Sequence, residues 1–281
     1  MNIRQMEKTK KYGYIFWISY NGKKFHSFDE NDSEKTVKLQ FKEILNRLDI
    51  TWAKGIQQAA RTDAKVSAEE NILYISTYFN GNTDDLKTKF NRNSKGINIT
   101  KIEKVLPNLV IPELVKEREY SYQYPIENID ENIEEINKKC LELTGEYDVS
   151  EFTDFKGKQL KEKIRKVNVK YENDKLIFIG SSFMPKQVRI MSGYILSGEK
   201  KIFPAKYLTL NKVVLKEEVE KYKFQEVNNI KVDLVEKIEK VDDVYFFFVK
   251  KENRSKIIGK NGANIKKLRK EYGKIIVKDV C

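Results

Sequence analysis

The chain has 281 residues, and its 54 Lys and Arg against 42 Asp and Glu give a net charge of +12. This length suggests about two domains, and an aromatic content of 11% excludes a disordered chain. The apolar runs are far shorter than the roughly 20 residues of a membrane span, so no membrane segment is predicted. The stretch at residues 1–11 is polar, so no secretory signal is predicted. The basic excess points to a polyanionic partner, most simply a nucleic acid.

Cysteine and histidine are scarce, with Cys140, Cys281 and His26 as the whole set. Two cysteines are too few for a disulfide framework, and with one histidine they cannot build a plausible zinc site. This composition predicts a reducing, cytoplasmic compartment and chemistry that needs no metal. It also favours catalysis by carboxylate, Tyr, Arg or Lys side chains over a Ser-His-Asp or Cys-His device.

Strands and helices are predicted to alternate along the chain. Short apolar and β-branched runs predict strands at residues 12–20, 71–79, 97–105, 118–124, 164–171, 176–181 and 207–215. Apolar residues at helical spacing predict helices at residues 33–48, 84–91, 129–143 and 186–196, with Asp32 or Ser33 as the N-cap of the first. Because both kinds of element are mixed throughout, the fold class is α+β or α/β.

The charged stretch at residues 216–229 contains no Pro or Gly and is predicted to be a short helix or linker that marks a boundary. Strands at residues 244–250 and 274–280 then flank Gly259, Lys260, Asn261 and Gly262. Two glycines without a Cβ let a tight turn approach a nucleic-acid backbone, and Lys260 adds a partner for phosphate. This pattern resembles the GXXG loop of a KH domain, in the type II arrangement.

The KH-like segment is also basic. Residues 250–281 contain eleven Lys and Arg against three Asp and Glu, a net charge of +8. The plainer alternative is a glycine-containing turn on a solvated basic helix.

Arg61, Thr62 and Asp63 place a carboxylate two residues from a guanidinium. Alone, this pattern is typical of a local ion pair in a surface loop. The Arg61–Asp63 pattern is part of one of six segments that resemble, in the same order, the sequence motifs (boxes) of the TruA family of RNA pseudouridine synthases. These segments are residues 20–28 (YNGKKFHSF), 60–68 (ARTDAKVSA), 118–122 (REYSY), 143–148 (LTGEYD), 183–191 (FMPKQVRIM) and 204–210 (PAKYLTL). Six boxes in the same order are far more specific than any one of them.

Several positions depart from the family pattern. Ala60 and Lys65 replace glycines, Ser67 stands where many members have His, Gln187 replaces Met, and Tyr207 replaces Gly. These departures leave the aspartate, tyrosine and arginine of the boxes in place.

The resemblance implies an α+β pseudouridine synthase core at residues 1–220, followed by a KH-like RNA-binding domain at residues 228–281. Two ferredoxin-like halves, at about residues 1–125 and 126–220, would share a central antiparallel sheet with a basic cleft. The implied activity is isomerisation of uridine to pseudouridine in RNA, most simply in the anticodon stem-loop of tRNA, without cofactor or metal. The resemblance also allows a homodimer. The alternative is a non-catalytic RNA-binding or RNA-chaperone protein that retains the synthase fold.

The resemblance further implies roles for individual side chains. Asp63 would be the essential aspartate, attacking the nucleoside covalently or assisting formation of a glycal, and Arg189 would pair with it. Tyr120 would stack on the uracil and remove the proton from C5. Leu208 would close the apolar side of the pocket, and Arg61 would fill the space left by the flipped nucleotide or hold its phosphate. As residues of predicted strands, Tyr120 and Leu208 could instead be ordinary core.

Overall fold

A computed structural model describes residues 3–30, 35–154 and 162–280, which form two β-sheets with helices packed on them. The strands are β1 (Tyr12–Tyr20), β2 (Trp52–Gln58), β3 (Ser67–Thr77), β4 (Ile97–Val105), β5 (Val115–Tyr122), β6 (Gly145–Asp148), β7 (Ile164–Glu172), β8 (Lys175–Gly180), β9 (Leu208–Leu215), β10 (Gln225–Glu226), β11 (Val235–Val241), β12 (Val244–Val249) and β13 (Lys274–Asp279). The α-helices are α1 (Ile3–Lys8), α2 (Val37–Arg47), α3 (Thr83–Asn93), α4 (Ile111–Leu114), α5 (Ile133–Glu142), α6 (Gln187–Ser197), α7 (Arg254–Ile258) and α8 (Ala263–Tyr272). None of the helices in the described part of the chain is long and apolar enough to cross a membrane.

The first half of the large sheet is a ferredoxin-like βαββαβ unit. Its strands follow one another as β1, β2, β3 and β4 along the chain but lie in the order β4-β1-β3-β2 in the sheet. β1 is buried along nearly its whole length, which explains its continuous apolar run. The helix α2 begins at Val37, where the Thr36 side chain accepts a hydrogen bond from the Leu39 amide. The caps predicted at Asp32 and Ser33 lie outside the described residues.

The second half repeats the same topology, although the two halves share no repeat that is visible in the sequence. Its strands β5, β7, β8 and β9 lie in the order β9-β5-β8-β7, with β6 added at the edge. The two halves join where Ser67 and Ala68 of β3 pair with Thr209 and Leu210 of β9. This pairing is parallel, so the predicted antiparallel sheet is interrupted at its centre. The division between halves lies between β4 and β5 rather than near residue 125, because β5 is the first strand of the second unit.

The C-terminal sheet has the order β10-β11-β12-β13, and α7 and α8 connect β12 to β13 in parallel. Its first strand, β10, comes from the stretch predicted as a linker. One face of the sheet packs against α7 and α8 through Ile238, Phe247, Val249, Ile257, Ile265 and Ile275. The other face joins the main core through Val241, Val244, Phe246, Phe248 and Ile276. Both faces of this sheet are therefore covered.

A caged ammonium group helps to hold the C-terminal sheet on the core. Nζ of Lys104, on β4, lies 2.5 Å from Oε2 of Glu239 on β11, and the two side chains are 11% and 6% exposed. The same nitrogen lies 4.2 Å, 4.6 Å and 4.9 Å from the ring centroids of Tyr12, Phe224 and Phe248. Ring faces and a carboxylate both stabilise a buried cation, so this cluster links β1 and β4 to the C-terminal unit.

A second tether joins the two ends of the chain. Nζ of Lys278, on β13, donates hydrogen bonds of 2.7, 2.9 and 2.6 Å to the carbonyls of Met6, Glu7 and Thr9. These carbonyls lie at the C-terminal end of α1, where a helix leaves acceptors unpaired. The N-terminal helix is thereby fixed to the last strand.

Candidate active site

A cleft of about 790 Å³ lies between the two halves of the large sheet, and the residues predicted for the synthase site line it together. Arg61 and Asp63 come from the first half, and Tyr120, Arg189 and Leu208 come from the second. The fold therefore assembles one site from segments that are far apart in the sequence.

Asp63 and Arg189 form an ion pair across this cleft. Nη1 of Arg189 lies 3.0 Å from Oδ2 of Asp63, and the side chains are 15% and 32% exposed, respectively. Nε of Arg189 donates to the carbonyl of Phe203 at 2.7 Å. Two acceptors on different edges of the guanidinium fix its plane, and a charge-assisted hydrogen bond of this kind orients the carboxylate.

The loop that carries Asp63 connects β2 to β3 and is closed by a hydrogen bond from the Val66 amide to the Asp63 carbonyl, at 3.2 Å. Gly22 packs directly on this loop, because a Cβ at Gly22 would lie 2.1 Å from the Val66 carbonyl oxygen. The Gly22 amide also donates to Oγ of Ser67 at 3.1 Å. The segment at residues 20–28 therefore packs against and supports the loop that contains Asp63.

Tyr120 lies on β5 and is 7% exposed, with its ring edge-on to that of Phe183 at 5.4 Å between centroids. Burial raises the pKa of the Tyr120 phenol to about 12, while the Arg118 guanidinium opposes this rise and the Asp63 carboxylate adds to it. Tyr120 is thus both a buried strand residue and a lining residue of the cleft.

Leu208 and a β-bulge shape the floor of the cleft beside Tyr120. Glu119 pairs with Lys212 whereas Tyr120 pairs with Leu210, so β9 has one extra residue at this point. Bulges bend a strand and re-aim side chains, and they are frequent beside active sites. Leu208 is buried at the start of β9 and supplies an apolar wall.

Arg61 is the most exposed of these side chains, at 72%. Its Nη1 lies 3.3 Å from Oδ2 of Asp29, and Nζ of Lys38 lies 3.1 Å from Oδ1 of the same carboxylate. Exposed ion pairs contribute little to stability, so Arg61 can leave Asp29 at small cost.

Arg118 and Gln187 line the same cleft but were not predicted as site residues. Arg118 Nε donates to the Ala59 carbonyl at 3.1 Å, and its Nη1 donates to the Ser181 carbonyl. Arg118 thereby joins the two halves just before the aspartate loop. The sequence did contain a signal for Arg118. It lies two residues before Tyr120 on a predicted strand, and side chains two residues apart on a strand lie on the same face.

Gln187 is fully buried, and its Oε1 accepts a hydrogen bond from the Met184 amide at 2.7 Å.

Comparison with known proteins gives the family of the chain. It is 30% identical over 210 residues to the tRNA pseudouridine synthase A of Picrophilus torridus, and the alignment covers 73% of this chain and 76% of that protein. The chain belongs to the tRNA pseudouridine synthase A family. The Borrelia duttonii member is 31% identical over 205 residues, covering 66% of this chain and 82% of its own. The Lactococcus lactis member is 25% identical over 213 residues, covering 65% and 81%.

Two further comparisons add nothing to this assignment to the tRNA pseudouridine synthase A family. No family model matches the sequence. A chain in the crystal structure of a Cbf5-Nop10-Gar1 complex aligns with 74% of this chain and 50% of its own, at a TM-score of 0.34 and 13% identity.

This tRNA pseudouridine synthase A family member has a strained lysine in its aspartate loop. Lys65, which replaces a glycine of the family box, has a φ of 68°. A left-handed conformation costs a non-glycine residue about 1–2 kcal/mol, partly offset by the backbone entropy that glycine loses on folding. Lys65→Gly is therefore expected to stabilise the protein by about 0.5–1 kcal/mol in urea unfolding.

The control for Lys65→Gly is Lys95→Gly, since Lys95 is an exposed loop lysine without a positive φ. It is expected to leave stability unchanged or lower it. Equal shifts in the two variants would show that the backbone at Lys65 is not strained.

The predicted GXXG loop lies elsewhere, between α7 and α8, and is not among the described residues that line the cleft. Gly259 and Gly262 have φ values of 75° and 74°, and Asn261 has a φ of 53°. A Cβ at Gly259 would lie 2.8 Å from the Asn264 amide nitrogen. This tight turn therefore needs its glycines.

Proposed function

We propose that this protein converts uridine to pseudouridine in tRNA, with Asp63 acting on the nucleoside, Tyr120 on the base and Arg189 on the aspartate. The observation that carries the proposal is the ion pair of Asp63 and Arg189, 3.0 Å long, in one cleft with Tyr120. The reaction breaks the N1–C1′ bond, turns the uracil and forms a C5–C1′ bond, and the proton on C5 moves to N1. No atom is gained or lost, and in this proposal the Asp63 carboxylate acts at the sugar while Tyr120 carries the proton.

Arg189 fixes where the Asp63 carboxylate points. One oxygen is held by the guanidinium, which leaves the other oxygen for the substrate. That oxygen can add to the sugar at C1′ or assist loss of a sugar proton on the way to a glycal. In either case the guanidinium is a preorganised group, so no reorganisation is needed during the reaction.

Tyr120 enters the reaction as a neutral phenol. With its pKa raised to about 12, only about one phenol in 10⁵ is ionised at pH 7. Part of this rise comes from the negative charge of Asp63. When the carboxylate becomes an ester or takes up a proton, that contribution disappears and the phenol becomes a stronger acid. It can then give its proton to the released uracil, and the phenolate that remains takes the proton from C5. The state of Asp63 and the proton affinity of Tyr120 are therefore coupled.

Tyr120→Phe is expected to lower the single-turnover rate by about 10²–10⁴-fold, as removal of a proton carrier does, with tRNA affinity nearly unchanged. The ring that stacks on the base remains. Tyr124→Phe, which removes the hydroxyl of a second tyrosine close along the chain, is the control and is expected to keep the full rate. A Tyr120→Phe enzyme with the wild-type rate would limit Tyr120 to stacking.

Arg61 and Leu208 serve the flipped nucleotide in this proposal. Extruding a base costs a few kcal/mol, and an exposed guanidinium near the cleft can replace its contacts or hold its phosphate. Leu208 presents an apolar surface to the uracil ring.

We further propose that the C-terminal unit is a KH-like RNA-binding domain that adds affinity and substrate choice, not chemistry. Supporting this are the turn formed by Gly259, Lys260, Asn261 and Gly262, its position between two helices flanked by strands, and the charge of +8 on residues 250–281. The caged Lys104 and the tether at Lys278 fix this unit to the core. A second RNA contact at a fixed position favours a folded RNA that reaches both surfaces.

Replacing Lys260 and Asn261 by Asp is expected to weaken tRNA binding and leave the maximal rate unchanged. Asp tolerates the positive φ of Asn261, so the turn stays folded. Loss of about two phosphate contacts flattens the slope of log affinity against log salt by roughly 0.7 per contact on single-stranded RNA. Single-turnover kinetics against RNA concentration at two salt levels measure both effects. A collapse of the plateau rate with intact binding would place the unit in active-site assembly instead.

The proposed function is tested by mapping pseudouridines in RNA from cells with and without the gene. The expected result is loss of pseudouridine at defined tRNA positions, in the anticodon stem-loop if the resemblance extends to the target, and recovery with the wild-type gene but not with Asp63→Ala. An unchanged map would favour the non-catalytic RNA-binding alternative. Light scattering of the purified protein tests the homodimer that the family resemblance allows, and cell fractionation tests the cytoplasmic location predicted from the low cysteine content.

A further inference from the structure

A buried polar network contacts the loop that carries Asp63, at Ala60 and Thr62. The Tyr20 and Thr62 hydroxyl oxygens are 2.9 Å apart, and both residues are buried. Nδ2 of Asn71, which is fully buried, donates to the Tyr20 hydroxyl at 3.2 Å and to the Ala60 carbonyl at 3.0 Å. Because Tyr20 accepts from Asn71, its own proton is available for Thr62.

This network holds the backbone immediately before and immediately after Arg61. The Ala60 carbonyl is fixed by Asn71, and the Thr62 side chain is fixed by Tyr20. Residues 60–63 all line the cleft, and the network holds the two that flank Arg61. The pairing of β1 with β3 is irregular between Ile18 and Tyr20, a type of bulge that proteins use to re-aim a side chain.

The network is not needed to complete the core. Tyr20 already packs against Phe25 and Phe28, with ring centroids 6.3 and 6.0 Å away, and a phenylalanine would keep these contacts. Its hydroxyl and the Asn71 carboxamide must instead be satisfied at some cost, because buried polar groups are expensive unless they are hydrogen-bonded. Burial raises the pKa of the Tyr20 phenol, so the hydroxyl is a neutral hydrogen-bonding group.

We propose that Tyr20 and Asn71 are positioning residues that clamp both sides of Arg61 and thereby aim Asp63 at the substrate, an inference that rests on the proposed role of Asp63. A shift of about 1 Å in a reacting group can lower a rate about 10²-fold. The clamp acts on the chemical step, whereas tRNA affinity comes mostly from phosphate contacts.

The test compares Tyr20→Phe, Thr62→Val and the double variant in single-turnover pseudouridine formation at saturating tRNA. The plateau rate is expected to fall about 10-fold or more in each single variant, while the Kd for tRNA changes less than about 2-fold. Because both single variants break the same contact, the double variant is expected to lose little more than either one. Asn71→Leu extends the series to the Ala60 side, and the Tyr20 variants alone decide the outcome if Asn71→Leu does not fold.

Tyr14→Phe is the matched control. Tyr14 lies on the same strand, is fully buried, and its hydroxyl donates to the Phe79 carbonyl at 3.0 Å, away from the cleft. It is expected to lower the thermal midpoint as Tyr20→Phe does and to keep the full plateau rate. A plateau in Tyr20→Phe equal to that of Tyr14→Phe would overturn the positioning role. If Asp63→Asn is inactive at the same time, only this inference is wrong, whereas an active Asp63→Asn would overturn the proposed role of Asp63 itself.

Discussion

Asp63→Ala and Asp63→Asn are expected to lower pseudouridine formation by at least about 10⁴-fold, the scale seen when a nucleophile or its direct partner is removed. Binding of tRNA is expected to stay within a few-fold of wild type, because affinity comes mainly from phosphate contacts. Asp63→Asn is the sharper variant. It keeps a carbonyl oxygen for the Arg189 contact of 3.0 Å and removes only the charge and nucleophilicity of the carboxylate.

The matched control is Asp29→Asn. Asp29 lines the same cleft and is similarly exposed, at 34%, but its carboxylate pairs with Arg61 and Lys38. This change is expected to alter turnover only a few-fold. Tritium release from C5-labelled tRNA and a filter-binding assay measure rate and affinity. Normal pseudouridine formation by Asp63→Asn would remove Asp63 from the chemistry, and equal losses in both variants would indicate an effect of cleft charge alone.

Arg189→Ala is expected to lower the plateau rate by about 10²–10³-fold, the loss typical of removing one preorganised electrostatic contact in an active site. The change leaves the Asp63 carboxylate and the Phe203 carbonyl without a shared donor. Arg189→Lys is expected to rescue only part of the rate, because an ammonium group cannot present a planar fork to two acceptors.

The Lys186→Met variant separates the effect of the Asp63–Arg189 ion pair from the effect of positive charge in the cleft. Lys186 lines the same cleft one residue before α6, but its ammonium pairs with Asp154 rather than Asp63. It is expected to weaken tRNA binding and to keep the plateau rate, with thermal unfolding as the check on folding. A plateau as low in Lys186→Met as in Arg189→Ala would show that the site needs positive charge in general and not the specific ion pair.

A strand with a continuous apolar run, such as β1, could be predicted from sequence, whereas strands rich in polar and charged residues were predicted in some cases and missed in others. The predicted range 97–105 coincides with β4, and 12–20 coincides with β1. The strand β2 was missed because Lys54 has a φ of 63° and lies beside Gly55, which breaks the pattern. The strand β11, VEKIEKV, looks solvated, yet Glu239 in it is buried against Lys104. Periodicity does not identify a charge whose partner comes from another sheet.

The ordered boxes indicated which residue types form the site, but not how they meet. Asp63 and Arg189 are 126 positions apart in the sequence, and they meet because β3 and β9 pair at the junction of the two halves. This parallel contact of two residue pairs leaves no periodic signal in the sequence. Gly22 belongs to the first family-like segment, and the need for glycine there, which is its contact with the Val66 carbonyl, becomes visible only when the aspartate loop is folded against it.

The C-terminal unit cannot be detached cleanly. A chain that ended before β11 would lack Glu239 and Phe248, and the Lys104 ammonium would then face water on one side and the rings of Tyr12 and Phe224 on the other. It would also release α1, whose last carbonyls have Lys278 as their donor. Such a fragment would lose solubility and order for reasons unrelated to RNA. Experiments on this protein therefore need substitutions in surface loops, since deletion of the unit would confuse a loss of RNA contacts with damage to the enzyme beneath it.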